Sequence, residues 1–176
     1  MRYDVTVMPP LLLGEEYVKT MGHYHAPVDG AGSYPEVFEV LEGEAQFLIQ
    51  RQQGEEIVDV SLLTAREGDK ALISSDCGHV LINASSRQLV TGNLISNSCV
   101  QSYNQYLQRR GAAFYVLAGR RPVRNPRYSV PEIHVSKVKT PSLLSNRNLV
   151  EAFQENTDRF TFLNKPSKCS QLSETA

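Results

Sequence analysis

A chain of 176 residues, 41% hydrophobic and 21% charged, has the length and composition of one soluble globular domain. Its formal net charge of −1 gives no electrostatic basis for a nucleic-acid or anionic-membrane partner, so an anionic small molecule must be held by local groups. No apolar run approaches a membrane span, the start "MRYDVTVMPP" lacks a secretory layout, and Cys77, Cys99 and Cys169 are an odd, scattered set. Together these features read as a cytoplasmic chain without a disulfide framework.

Taken in chain order, residues 3–8 and 16–25 read as strands. From 34 to 96 short apolar runs alternate with turn residues. "EVFEVL" leads to a turn at Glu42, Gly43 and Glu44, then "AQFLIQ", a hairpin loop "RQQGEE" and "IVDVSLL". The turn "REGD" follows, then "KALIS", "HVLINAS" and "QLVTGNLIS". Strands at this regular spacing with Gly and Asp turns indicate an antiparallel sandwich or barrel. "GAAFYVLAG" reads as one more strand, and "RRPVRNPRYSVPEI" as an extended, proline-punctuated excursion. Leu149, Val150 and Phe153 at helical spacing behind a Ser/Asn cap predict a C-terminal helix; the polar tail from Lys165 onward is expected to fray. The organisation expected is one domain over 1–176, with a barrel core over about 3–118, an extension over about 119–164 and a tail over 165–176.

The chemistry concentrates in "KTMGHYHAPVDGAGSYPEVFEVLEGEAQFLIQ". His23 and His25 are two apart, so in a strand both side chains leave one face, which suits two ligands of one metal. Glu36 shares a face with Phe38 and Val40; Glu39 shares the other with Val37 and Leu41. A carboxylate on an apolar face needs a partner or a cation. Both faces carry apolar residues, so parity alone leaves Glu36 and Glu39 open. His134 reads as a surface-strand histidine, Cys77 as an unactivated turn residue, and Arg120, Arg121, Arg124 and Arg127 as solvated surface.

The stretch "GDKALISSDCGHVLIN" resembles the second cupin signature, with Gly68, His79 and Asn83 in register and Ser74 and Asp76 where Pro and Gly are expected. The first signature fits His23, His25, Glu36 and Gly43, and its Glu-to-Gly spacing selects Glu36 over Glu39. "APVDGAGSYP" lengthens the gap between the second histidine and the glutamate, reading as a loop inserted over the pocket mouth. Within the cupins, "KTMGHYH…YPEVFEVLEGEAQFLIQ" resembles the archaeal-type glucose-6-phosphate isomerases.

That resemblance implies an all-β cupin double-stranded β-helix, a jelly-roll barrel, with a C-terminal extension containing a short helix. It places one divalent metal per subunit, Fe(II) with Mn, Ni and Zn as alternatives, on His23, His25, Glu36 and His79. It puts the substrate phosphate on Thr6, Thr20 and Gly22, the sugar beside Tyr34 and Tyr103, and catalysis on Glu36. Phe38, Ile95 and Gln101 stand where members carry other pocket residues. It also implies a homodimer that interconverts glucose 6-phosphate and fructose 6-phosphate in glycolysis and gluconeogenesis. Three imidazoles and a carboxylate leave adjacent coordination positions for two neighbouring sugar oxygens. Glu36 then either carries a proton through a cis-enediol or serves only as ligand during a hydride shift. Rival readings are another metal-dependent cupin such as a non-haem iron dioxygenase, and a non-catalytic sugar-binding cupin. The segment "KTMG" before the first histidine argues against the first, and the full ligand set against the second.

Overall fold

The computed structural model describes residues 1–28, 30, 32–144 and 147–169. Two four-stranded sheets face each other. The first runs in the order Arg2–Met8, Leu89–Ile95, Glu36–Glu42, Lys70–Ile73, all antiparallel. The second runs Cys77–Ile82, Glu44–Gln53, Glu56–Arg66, His134–Lys137, antiparallel except for the last strand, which lies parallel to its neighbour. Apart from the hairpin of Glu44–Gln53 and Glu56–Arg66, neighbours within a sheet come from separate parts of the chain and successive strands change sheet, as expected of an all-β jelly roll.

Gly43 is where the chain leaves the first sheet for the second. Its φ is +85°, and a Cβ there would lie 2.4 Å from the Gln88 carbonyl oxygen, so the corner admits only glycine. The space between the sheets is filled by one cluster that includes Met8, Phe38, Val40, Phe47, Leu81 and Leu89. A second cluster covers the outer face of the second sheet, with Leu48, Val60 and Val80 under Tyr106, Phe114 and Tyr128. A third covers the outer face of the first, with Val37 and Leu94 under Leu149, Phe160 and Leu163. Strand Glu36–Glu42 is therefore buried on both faces, which is why its sequence shows no polar alternation.

Several expectations are corrected here. The hairpin expected over "RQQGEE" shrinks to Gly54 and Glu55, because the strands extend through Gln53 and restart at Glu56, with a bulge after Arg51 taking up the register. Only Phe114–Tyr115 of "GAAFYVLAG" is a strand, paired with Val123–Arg124 of the proline-rich excursion. Between them and the barrel, Asn104–Gln108 forms a short helix that the sequence pattern does not announce, anchored by buried Tyr106. Cys77 opens a strand and is buried, and that burial pushes its thiol to about 12. The C-terminal helix is Leu149–Glu155, its Asn148 cap accepting from the Glu151 N–H at 2.8 Å. A 3-10 helix, Thr157–Leu163, follows. The tail does not fray at Lys165: Cys169 is 6% exposed and packs in the third cluster. Residues 170–176 lie outside the described residues.

Candidate metal centre

His23 and His79 form an antiparallel bridge in which each backbone N–H donates to the other's carbonyl, at 3.3 and 3.1 Å. That pairing places the two rings edge-on, centroids 4.5 Å apart. His25, two residues on in Tyr24–His25, presents its ring 5.5 Å from that of His79. Glu36 opens the first sheet's central strand and reaches in from the opposite sheet. Its Oε2 lies 3.3 Å from His25 Nε2 and 3.5 Å from His79 Nε2. One donor atom from each of the four residues falls within 4.8 Å of every other, and all four residues are buried.

The donor set fits a metal on grounds of satisfaction. His23 Nε2, His25 Nε2 and Glu36 Oε2 are buried without a hydrogen-bond partner, an expensive arrangement in a protein interior unless a cation completes it. His25 Nδ1 lies 2.6 Å from the Tyr34 carbonyl oxygen, so Nδ1 donates there and Nε2 is the nitrogen turned to the centre. Burial, with neighbouring His25 adding to it, lowers His23 to about 4. Burial first, then His23 and His25, holds His79 well below its usual value. Both imidazoles are thus held neutral, the form a metal ligand requires. Burial opposes charging His25 too, but the nearby Cys99 thiol and Glu36 carboxylate outweigh it and raise His25 to about 10. Burial likewise pushes Glu36 up.

The turn before His79 keeps its geometry despite its substitutions. Asp76 takes φ 63°, the left-handed conformation a glycine would supply there, and Asp is among the few residues that tolerate it. The lengthened loop fastens this turn: Ser75 Oγ donates to the Ser33 carbonyl at 2.6 Å, and Ser33 Oγ accepts from the Asp76 N–H at 2.9 Å. The inserted segment includes a Pro27–Val28 and Gly32–Ser33 pairing; residues 29 and 31 of the expected mouth loop lie outside the described residues.

The remaining candidates are distributed unevenly. Tyr103 stands with its ring 5.3 Å from that of His23, and its hydroxyl donates to Gln101. Tyr34 meets the centre through its carbonyl. Phe38 is packed edge-on to His79 in the core, leaving no role for a hydroxyl. Thr20 Oγ accepts from the Leu81 N–H at 3.0 Å, and Thr20 and Gly22 line a cavity of about 260 Å3 with Lys19, Tyr106 and Arg110. A Cβ on Gly22 would lie 2.1 Å from the Tyr106 ring, so packing alone requires glycine there. Thr6 is opposite Thr91 in the first sheet, and no hydrogen bond among the described residues joins it to Thr20 or Gly22.

Glu39 points to the other face. Its Oε1 pairs with Lys70 Nζ at 3.1 Å and its Oε2 accepts from the Leu149 N–H at 2.6 Å, under the C-terminal helix. His134 is exposed on the edge strand, beside Asp59. Arg120 and Arg124 pair with Glu15 and Glu132 at the surface. The residue that sequence reasoning missed is Asn93, whose Nδ2 donates to Glu36 Oε1 at 2.6 Å.

A small antiparallel jelly roll whose interior carries three histidines and a glutamate at metal-ligating separation is the architecture of a cupin. Within that class the chain belongs to the glucose-6-phosphate isomerase (GPI) family, whose family model matches residues 1–131. No curated protein matches the chain. Among solved structures, it is similar to the CENP-C cupin domain of Drosophila melanogaster at 20% identity and TM-score 0.39, covering 57% of this chain and 59% of that one. It is also similar to the capsular polysaccharide assembling protein CapF from Staphylococcus aureus at 13% identity and TM-score 0.44, covering 58% and 26%. An oxalate oxidase in complex with the substrate analogue glycolate gives 16% identity and TM-score 0.40, covering 52% and 39%. The chain thus spans less than two thirds of the length of these solved relatives. No helix among the described residues is long and apolar enough to cross a membrane.

Proposed function

We propose that the protein is a metal-dependent aldose–ketose isomerase that interconverts glucose 6-phosphate and fructose 6-phosphate. The observation that carries this reading is the convergence of three unpartnered buried ligand atoms in a chain of the glucose-6-phosphate isomerase family. His23, His25, Glu36 and His79 would hold one divalent first-row ion, taken to be Fe(II). Such an ion, when bound, supplies Lewis-acid polarisation of the sugar carbonyl and its neighbouring hydroxyl.

The chain's own residues supply the rest. Glu36 would act as the base, taking the proton from carbon 2 of the aldose and returning it to carbon 1. Tyr103, whose ring lies beside His23, and Tyr34, whose carbonyl meets His25, would contact the sugar. Thr20 and the Gly22 backbone would hold the phosphate, with Thr6 as a further contact. A homodimer acting in the cytoplasm completes the reading.

The test is a coupled assay of metal-loaded protein on fructose 6-phosphate and on unphosphorylated fructose. Turnover of the phosphorylated sugar alone is expected; equal handling of the two, or turnover of neither, overturns the reading. In deuterated water the product should carry deuterium at the carbon that receives the proton. Unlabelled product would transfer the step to a hydride shift and leave Glu36 as a ligand only.

A further inference from the structure

We propose that Asn93 is the positioning residue that decides which oxygen of Glu36 faces the metal. The inference rests on the metal reading of the centre.

Asn93 lies on the strand Leu89–Ile95, in the middle of the first sheet. Its Cα partners are Asp4 on one side and Phe38 on the other, two pairs along from the Ile95–Glu36 pair. Residues 91, 93 and 95 alternate onto the face that carries Leu89, the face turned to the barrel interior. Asn93 is 5% exposed, and an amide buried there is tolerated only when hydrogen-bonded. Its Nδ2 meets Glu36 Oε1 at 2.6 Å. The orientation is dictated by chemistry: only the NH2 end can face a carboxylate oxygen, since the reverse would set two acceptors together.

The two oxygens of Glu36 are thereby given different work. Both ring contacts, to His25 and to His79, go to Oε2, which has no hydrogen-bond partner. The amide contact goes to Oε1. A carboxylate free to swing about its last torsion could offer either oxygen or both. With Oε1 tethered, Oε2 alone is presented to the imidazoles, and Glu36 becomes a one-oxygen ligand with a fixed plane. Outer partners of this kind orient ligands and tune the ion they hold. Asp in place of Asn93 would remove the donor and set a second carboxylate against Oε1, where two charges so close cannot both persist.

The experiment is a Co(II) titration of the full chain in three forms, wild type, Asn93→Ala and Asn93→Asp, read by the visible absorption of bound Co(II) and by thermal melting without metal. Wild type should bind one Co(II) per chain. Both variants should bind roughly 10–100-fold more weakly. Asn93→Ala should also alter the position and intensity of the Co(II) bands, as Glu36 turns to offer both oxygens. A role in packing alone would lower the melting temperature yet leave the bands unchanged in the folded, loaded fraction. That result, or Co(II) affinity within twofold of wild type in both variants, overturns the assignment of Asn93 while leaving the metal centre standing. Failure of the wild type itself to bind Co(II) would overturn the metal reading, and this inference with it.

Discussion

Glu36 and Glu39 stand three residues apart on one strand, and both are almost fully buried, yet they belong to different parts of the molecule. Glu36 meets the imidazoles of His25 and His79 and the Asn93 amide, with His23 in the same cluster, and leaves Oε2 without a hydrogen bond. Glu39 faces a lysine and the first turn of the C-terminal helix, with both oxygens engaged. The lesson is one of satisfaction. A buried carboxylate with every lone pair answered by protein is structure; one with an open oxygen among open ring nitrogens is a site for a cation.

The comparison breaks most decisively at the histidines. His79→Ala should abolish retention of metal, whereas His134→Ala, on the exposed edge, should leave it unchanged; metal content after desalting checks both. Equal loss in the two would dissolve the distinction between inner and outer faces.

Next in size is Glu39. Glu39→Gln leaves Lys70 buried without its counter-charge, which should lower stability by about 3–5 kcal/mol, or roughly 10 °C in Tm, while metal still binds. Lys70→Met combined with Glu39→Leu should recover part of that loss, because two buried charges then leave together. A full-strength loss in the double variant would show that the contact to the Leu149 N–H matters more than the ion pair.

Thr20→Val is expected to act more weakly. Loss of one hydrogen bond to a charged phosphate should weaken substrate binding by about 1.5–3 kcal/mol, seen as a raised KM, with metal content unchanged. The hydroxyl also accepts from Leu81 N–H, so a small drop in Tm should accompany it.

A further lever is pH. His25, raised to about 10, keeps its proton at neutral pH in the metal-free protein, so a metal must displace that proton to bind. Apparent metal affinity should therefore rise up to tenfold per pH unit from about 7 and level off near 10. His23 runs the other way: held neutral down to about 4, it contributes stability above about 6.5 that is lost progressively as pH falls toward 4. Melting of the metal-free protein across that interval reads the second effect, and calorimetric titration the first.

How much of this was legible in the sequence follows from the range of each interaction. The strand rhythm from 36 to 96 is a local pattern, and the structure shows the strands it announces. The strand expected over 16–25 is instead two short ones, Glu16–Tyr17 and Tyr24–His25, with His23 held by an isolated bridge to His79. The turn at Asp76 could be only half read: its side chain departs from glycine, and only coordinates show φ 63° preserved. Ser33, which fastens that turn from 42 and 43 residues away, has no local signature. Asn93 and Lys70 were invisible for the same reason, since their partners Glu36 and Glu39 lie across strand pairings that one sequence does not reveal. The helix Asn104–Gln108 is too short for a 3.6-residue period to emerge, and Cys169 sits in a stretch whose polarity hid one buried anchor.

The most direct measurement is metal stoichiometry and affinity in the matched pair Glu36→Gln and Glu39→Gln, set beside wild type by calorimetric titration with Co(II) or Mn(II). Wild type and Glu39→Gln should each take up one ion per chain with similar affinity. Glu36→Gln should bind at least about 100-fold more weakly while its metal-free fold melts no earlier than wild type. Retention of metal by Glu36→Gln together with its loss from Glu39→Gln would contradict the account, because the carboxylate that serves the ion would then be the one beneath the C-terminal helix.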